Sequence, residues 1–209
     1  MRRGIIEVAV KTVQNTLEST TRERELNSLS NITIIVVLST VTMTFGAMIA
    51  VFLVRSGGNL FWGHLQIPGV LYLTTVLLLA SSAALENARR NLLVDDQERF
   101  FKLTALATVL GVLFLAGQLV AWFQILHSGI VLARNPHSWF IFLFTGLHGL
   151  HIMLGLGALV YLLLRTYRPA GGPKYRMKTR VAANGISIFW HYLDFLWILL
   201  FVLLLTWRR

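Results

Sequence analysis

Five apolar runs, each near the length of a bilayer crossing, occupy most of this chain. They lie at about 31–54, 64–85, 103–126, 138–164 and 183–207. A spanning helix needs roughly 20 mainly apolar residues. Inside hydrocarbon only a helix or a closed barrel satisfies every backbone N–H and C=O. The composition agrees, at 56% hydrophobic and 13% charged, where soluble domains carry about 25% charge. The expectation is an all-α membrane protein with five transmembrane helices. Its breaks are polar: Arg55-Ser-Gly-Gly-Asn59, the stretch from Arg89-Arg90 to Arg99, Arg134-Asn-Pro136, and Pro169-Ala-Gly-Gly-Pro173 with the basic cluster after it. Pro68 falls in the first turns of the second run, where proline is tolerated.

The net charge of +10 suggests nucleic acid only until the basic residues are located. Fifteen Lys and Arg fall on one side of the alternating topology and four on the other. The positive-inside rule then predicts a cytoplasmic N-terminus and an outside C-terminus, with Trp62, Trp139 and Trp207 at the outer interface. Residues 1–30 are expected to form a cytoplasmic segment, and 31–209 the membrane domain. The N-terminal stretch lacks the apolar core of a secretory signal. Its Ile5, Ile6, Val8, Val10, Val13 and Leu17 could line a short surface helix, and a frayed tail fits equally well. The absence of cysteine excludes disulfides, thiolate metal sites and a cysteine nucleophile.

Four polar side chains sit deep within the last two runs. His148 and His151 are spaced i, i+3 in the fourth, as are His191 and Asp194 in the fifth, so each pair shares a helix face. Counting inward at 1.5 Å per residue puts His148 and Asp194 at one depth, and His151 and His191 at another, all near the bilayer centre. Ionisable groups there are functional candidates by default. Three readings stay open on the residues alone: a metal or haem site, a proton relay, or a hydrogen-bonded network that joins two helices. Gly146, Gly149, Gly155, Trp190 and Trp197 are candidate helix-packing residues; Gly111 and Gly117 play the same part in the third run. Glu86 reads as a surface acid paired with Arg89 and Arg90, or as a carboxylate facing the bundle. Gln118 and Gln124 suit interhelical hydrogen bonds, and His64, His127 and His137 suit the outer interface. No hydrolase or phosphate-loop motif is present.

The same residues carry a family resemblance. Phe144-Thr-Gly-Leu-His-Gly-Leu-His-Ile-Met-Leu-Gly155 resembles the Thr-Gly-x-His-Gly-x-His motif of subunit III of haem–copper oxidases. Phe189-Trp-His-Tyr-Leu-Asp-Phe-Leu-Trp197 resembles that family's Trp-His-x-x-Asp-x-x-Trp final helix. Thr74-Thr-Val-Leu-Leu-Leu-Ala-Ser-Ser82 and the segment from Gln118 to Trp122 are similar to further family stretches. The likeness spans about 31–209, in order.

This resemblance implies a short, five-helix subunit III with no catalytic, cofactor-binding or metal-binding residue of its own. Haem and copper would lie in partner subunits I and II, against which such a subunit packs while holding phospholipid in its helix clefts and supporting proton uptake during oxygen reduction. His148, His151, His191 and Asp194 would then form a buried polar network, with proton buffering a residual role. The setting would be a bacterial-type cytoplasmic membrane, and the electron donor, cytochrome c or quinol, would be chosen in another subunit. Thr40 stands where the family often carries a buried Glu, so no role of that carboxylate transfers. The two-helix arm of longer members would be missing or supplied by another chain. An accessory subunit of nitric oxide reductase and a small b-type haem cytochrome are the alternatives.

Overall fold

The computed structural model describes residues 2–56, 68–94, 96–127, 136–167 and 173–206. Five helices account for nearly all of them: α1 (Arg2–Ser56), α2 (Val70–Leu93), α3 (Gln97–His127), α4 (Pro136–Tyr167) and α5 (Pro173–Thr206). Each contains a segment long and apolar enough to cross a membrane, beginning at Ser28 in α1, at Trp139 in α4 and at Met177 in α5.

The helices overrun the apolar runs, for local reasons. No glycine or proline falls between residues 5 and 45, so α1 continues through the N-terminal segment as a single helix. A short separate helix or a frayed tail is not what forms. Thr20, Thr21 and Thr33 return their hydroxyls to carbonyls of the preceding turn. Helix α2 starts at Val70, where Leu71 N–H bonds to the Pro68 carbonyl at 3.1 Å. It extends two turns past Leu85, where Glu86 pairs with Arg89 at 2.8 Å and Arg90 at 2.9 Å. Asp96 caps α3, its carboxylate accepting the Arg99 N–H at 3.0 Å, the usual satisfaction of an orphan N-terminal donor. Helix α5 opens on Pro173, a favoured first-turn residue. Lys174, Arg176, Lys178 and Arg180 extend it before the apolar stretch begins. Trp62, His64 and Trp207 lie outside the described residues.

Helices α2, α3, α4 and α5 pack each on the next, and α5 returns to α2. Their shared core includes Leu78, Ala107, Phe114, Ile152, Leu159, Trp190, Leu193 and Trp197. Helix α1 sits outside this ring, on α5 with a lesser contact to α4, and among the described residues it touches neither α2 nor α3. Val41, Phe45 and Phe52 hold it against Phe144, Leu196 and Leu200. A third cluster, Ala88, Leu92, Phe100, Leu162 and Ala183, closes the ring at the end where the Arg89–Glu86 pair lies.

Close approach depends on small residues, as expected where lipid supplies no hydrophobic drive for helix association. A Cβ on Gly155 would stand 3.0 Å from the Trp190 ring, and one on Gly111 only 2.8 Å from its far edge. The indole is therefore held between α3 and α4. Gly117 admits the methyl of Thr74, and a Cβ on Gly185 would lie 2.9 Å from Ile34 of α1. Gly146 faces Trp122 at 3.3 Å, and Gly149 has only an ordinary contact to Leu115. These glycines meet helices of their own bundle.

Candidate functional site

Neighbouring helices are joined by hydrogen bonds between small polar side chains. Ser81 of α2 donates to the Ala107 carbonyl of α3 at 2.9 Å, and Gln118 Nε2 of α3 donates to Thr74 Oγ1 at 3.3 Å. Trp122 Nε1 of α3 reaches Thr145 Oγ1 of α4 at 3.0 Å. Trp197 Nε1 of α5 reaches Thr75 Oγ1 of α2 at 3.0 Å. Arg165 Nε donates to Thr179 Oγ1 between α4 and α5 at 2.8 Å, and the hydroxyls of Thr42 and Tyr192 lie 2.6 Å apart between α1 and α5. In hydrocarbon such pairs contribute about 0.6 kcal/mol each on average, so their value lies in number and in fixing helix rotation. Thr40 is a different case: its hydroxyl bonds to the Val36 carbonyl of its own helix.

The four deep polar residues do not close into one hydrogen-bonded set. His148 is fully buried, its ring stacked on Trp197 at 5.1 Å and met edge-on by Phe114 at 6.1 Å. Neither of its nitrogens finds a hydrogen-bond partner among the described residues. His151 turns toward α1: its Nδ1 bonds to the Leu147 carbonyl at 2.7 Å, and its ring lies 5.7 Å from that of Phe45. Residues three apart on a helix differ in direction by about 60°, enough here for His148 to meet α5 while His151 meets α1.

His191 and Asp194 face α2. The Ser82 hydroxyl bonds to His191 Nδ1, Glu86 Oε2 lies 3.9 Å from His191 Nε2, and Asp194 Oδ2 lies 4.0 Å from His191 Nδ1. Asp194 is buried, and neither of its carboxylate oxygens has a hydrogen-bond partner among the described residues. The polar site is thus a ladder between α2 and α5: Arg89 and Arg90, Glu86, His191, Ser82, Asp194. Ser82 and Glu86 complete it, and sequence reasoning singled out neither as its partner. Residue spacing carries no signal for Ser82, which lies near the end of the apolar run 64–85, whereas His191 lies well inside 183–207. Of the remaining candidates, Gln118 makes its interhelical bond, Gln124 is exposed, and His127 Nδ1 bonds to the Phe123 carbonyl of its own helix. The His137 side chain lies outside what is described.

The geometry suits helix joining better than metal or haem ligation. Among the described residues no three His, Asp or Glu side chains converge as a metal site would require. His148 is packed against Trp197 and Phe114, and His151 points to a different helix.

A sequence profile described as cytochrome c oxidase subunit III matches residues 64–209, all of α2 to α5 with their connections. The chain belongs to the cytochrome c oxidase subunit III family. Cytochrome c oxidase subunit 3 of Corynebacterium diphtheriae is 31% identical over 177 residues, covering 80% of this chain and 83% of that one. The probable cytochrome c oxidase subunit 3 of Nocardia farcinica is 29% identical, covering 87% and 91%. The probable quinol oxidase subunit 3 of Staphylococcus haemolyticus is 26% identical, covering 90% and 92%. Subunit III of this length is therefore spanned nearly end to end by relatives from both kinds of oxidase, and neither the nitric oxide reductase nor the cytochrome alternative is favoured.

Proposed function

We propose that this chain is the non-catalytic subunit III of an aerobic haem–copper oxidase, packed against subunits I and II in a bacterial cytoplasmic membrane. Family membership carries this reading. The bundle supports it, because its deep polar residues are spent on helix contacts rather than gathered for chemistry. Haem and copper belong to the partners, whose catalytic subunit this one would stabilise, with phospholipid in the helix clefts and support for proton uptake. Residues 1–30 would serve on the cytoplasmic side and 31–209 as the membrane domain. The fifteen-to-four distribution of Lys and Arg supports a cytoplasmic N-terminus. His148 and Asp194 would act by packing between helices, and His151 and His191 by packing and hydrogen bonding.

Affinity purification of the tagged chain from mild detergent tests this. Recovery of a haem- and copper-bearing subunit I is expected. Purification of the chain alone with a reduced-minus-oxidised haem band of its own would overturn it.

A further inference from the structure

At the end of the bundle opposite the Arg89–Glu86 pair, α2, α3, α4 and α5 enclose a small cavity of about 10 Å³. That is near the lower limit for holding a single water. Most of its wall is apolar, as at Leu71, Ala121 and Leu204, and no charged side chain lines it. Three polar side chains do: Gln118 and Trp122 of α3, and Thr145 of α4.

The hydrogen bonds among these groups leave an unequal remainder. Trp122 Nε1 donates to Thr145 Oγ1 at 3.0 Å, and Thr145 Oγ1 donates to the Ile141 carbonyl at 2.6 Å. Both hydrogens are spent, while the threonine oxygen, with its two lone pairs, keeps one acceptor place. Gln118 is 5% exposed, and its Nε2 donates to Thr74 Oγ1. The Thr74 hydroxyl itself donates to the Leu71 carbonyl at 3.0 Å. Toward the amide it can therefore only accept, and this fixes which arm of the amide turns to it. Thr74 is not part of the cavity wall, so Oε1 is the arm left for the cavity. That oxygen is buried and has no hydrogen-bond partner among the described residues. Buried carbonyl oxygens rarely stay so, because burial removes the hydrogen bonds that water had supplied.

We propose that the cavity binds one water molecule, which donates one hydrogen to Gln118 Oε1 and the other to Thr145 Oγ1. Two acceptor places, with the Trp122 and Thr145 hydrogens already used, match a ligand that has two O–H bonds on one heavy atom. An ammonium ion would find no countercharge in this wall, and a hydroxyl carried on a larger frame such as glycerol would not fit the space. With the water in place, hydrogen bonds run unbroken from Thr74 of α2 through Gln118 of α3 to Thr145 of α4. Three helices are then tied at one point, which neither direct bond achieves, since Gln118 reaches only α2 and Trp122 only α4. The site is built from this chain alone, so it does not depend on which subunits surround the bundle.

Cryo-electron microscopy of the intact membrane complex, at a resolution that shows ordered waters, tests this. A single round density is expected within about 2.5–3.0 Å of both Gln118 Oε1 and Thr145 Oγ1. Thr74→Val, which keeps the shape held against Gly117, removes only the direct bond and should keep that density. Gln118→Met, of similar length but without a carbonyl, should lose it while Trp122 and Thr145 stay paired. An empty cavity in the native map would overturn the proposal. So would an acyl chain end or another subunit's side chain in that space, or Gln118 Oε1 bonded elsewhere. Density that persists in Gln118→Met would overturn it too, since the water would then belong to Thr145 alone. Should a variant fail to assemble, the native map decides.

Discussion

Individual contacts in this bundle are tight enough for single atoms to matter. Gly117 admits the Thr74 methyl, and Thr74 is fixed both by its own bond to the Leu71 carbonyl and by Gln118. A β-branched side chain so held cannot swing aside. Gly117→Val should therefore cost about 1–3 kcal/mol through overpacking, read as earlier thermal release of α2–α3 packing in detergent. Gly157 has nothing within 4 Å of where a Cβ would sit, so Gly157→Ala, measured alongside, should show no loss. Trp197→Phe keeps most of the ring contact with His148 but removes the Nε1 bond to Thr75. A loss of about 0.5–1.5 kcal/mol is expected in the same thermal measurement; an unchanged transition would mean that bond contributes nothing to holding α5 on α2.

Between elements, Ser82→Ala removes the hydroxyl on which His191 depends, and should loosen α2 from α5 by about 1 kcal/mol. Hydrogen exchange at the midpoints of α2 and α5, faster than in the native subunit, would register it; unchanged protection would count against the ladder as a helix joint. The five crossings themselves were legible, because the length of an apolar run nearly decides that a helix forms. Helix ends were less so. The charged turns lie outside the apolar stretch, at Glu86–Arg90 where ion pairs hold them and at 173–182 where Pro173 opens the helix, and hydropathy does not register them. Depth was readable for the last two runs, but it does not bring Ser82, near the end of its run, level with His191. What residue spacing lacks is direction. An i, i+3 pair names a face, but α5 has neighbours on three sides, and nothing in Trp190-His-Tyr-Leu-Asp194 says that His191 looks to α2 while Tyr192 looks to α1. The four-residue set expected between α4 and α5 dissolves for that reason. The exchange partners, Ser82 and Glu86, lie on a helix whose polar residues read as unremarkable in isolation.

For the molecule as a whole, the absence of native cysteine makes orientation directly measurable. With single cysteines at Lys174 or Asn59, an impermeant maleimide should label the first only from the cytoplasmic side and the second only from outside; the reverse pattern would invert the proposed topology. The position of α1 has a further consequence, for the order of synthesis. It leaves the ribosome before α2 to α5, yet its contacts are with α4 and above all α5. The hairpin of α2 and α3 can dock while translation continues, since neighbours in the chain are neighbours in space. Helix α1 must wait in the bilayer, unseated, until α5 arrives. A message cut short after α4 would leave α1 without its principal berth. Quality control that samples unpaired membrane helices would therefore be reading, in α1, whether α5 was ever made.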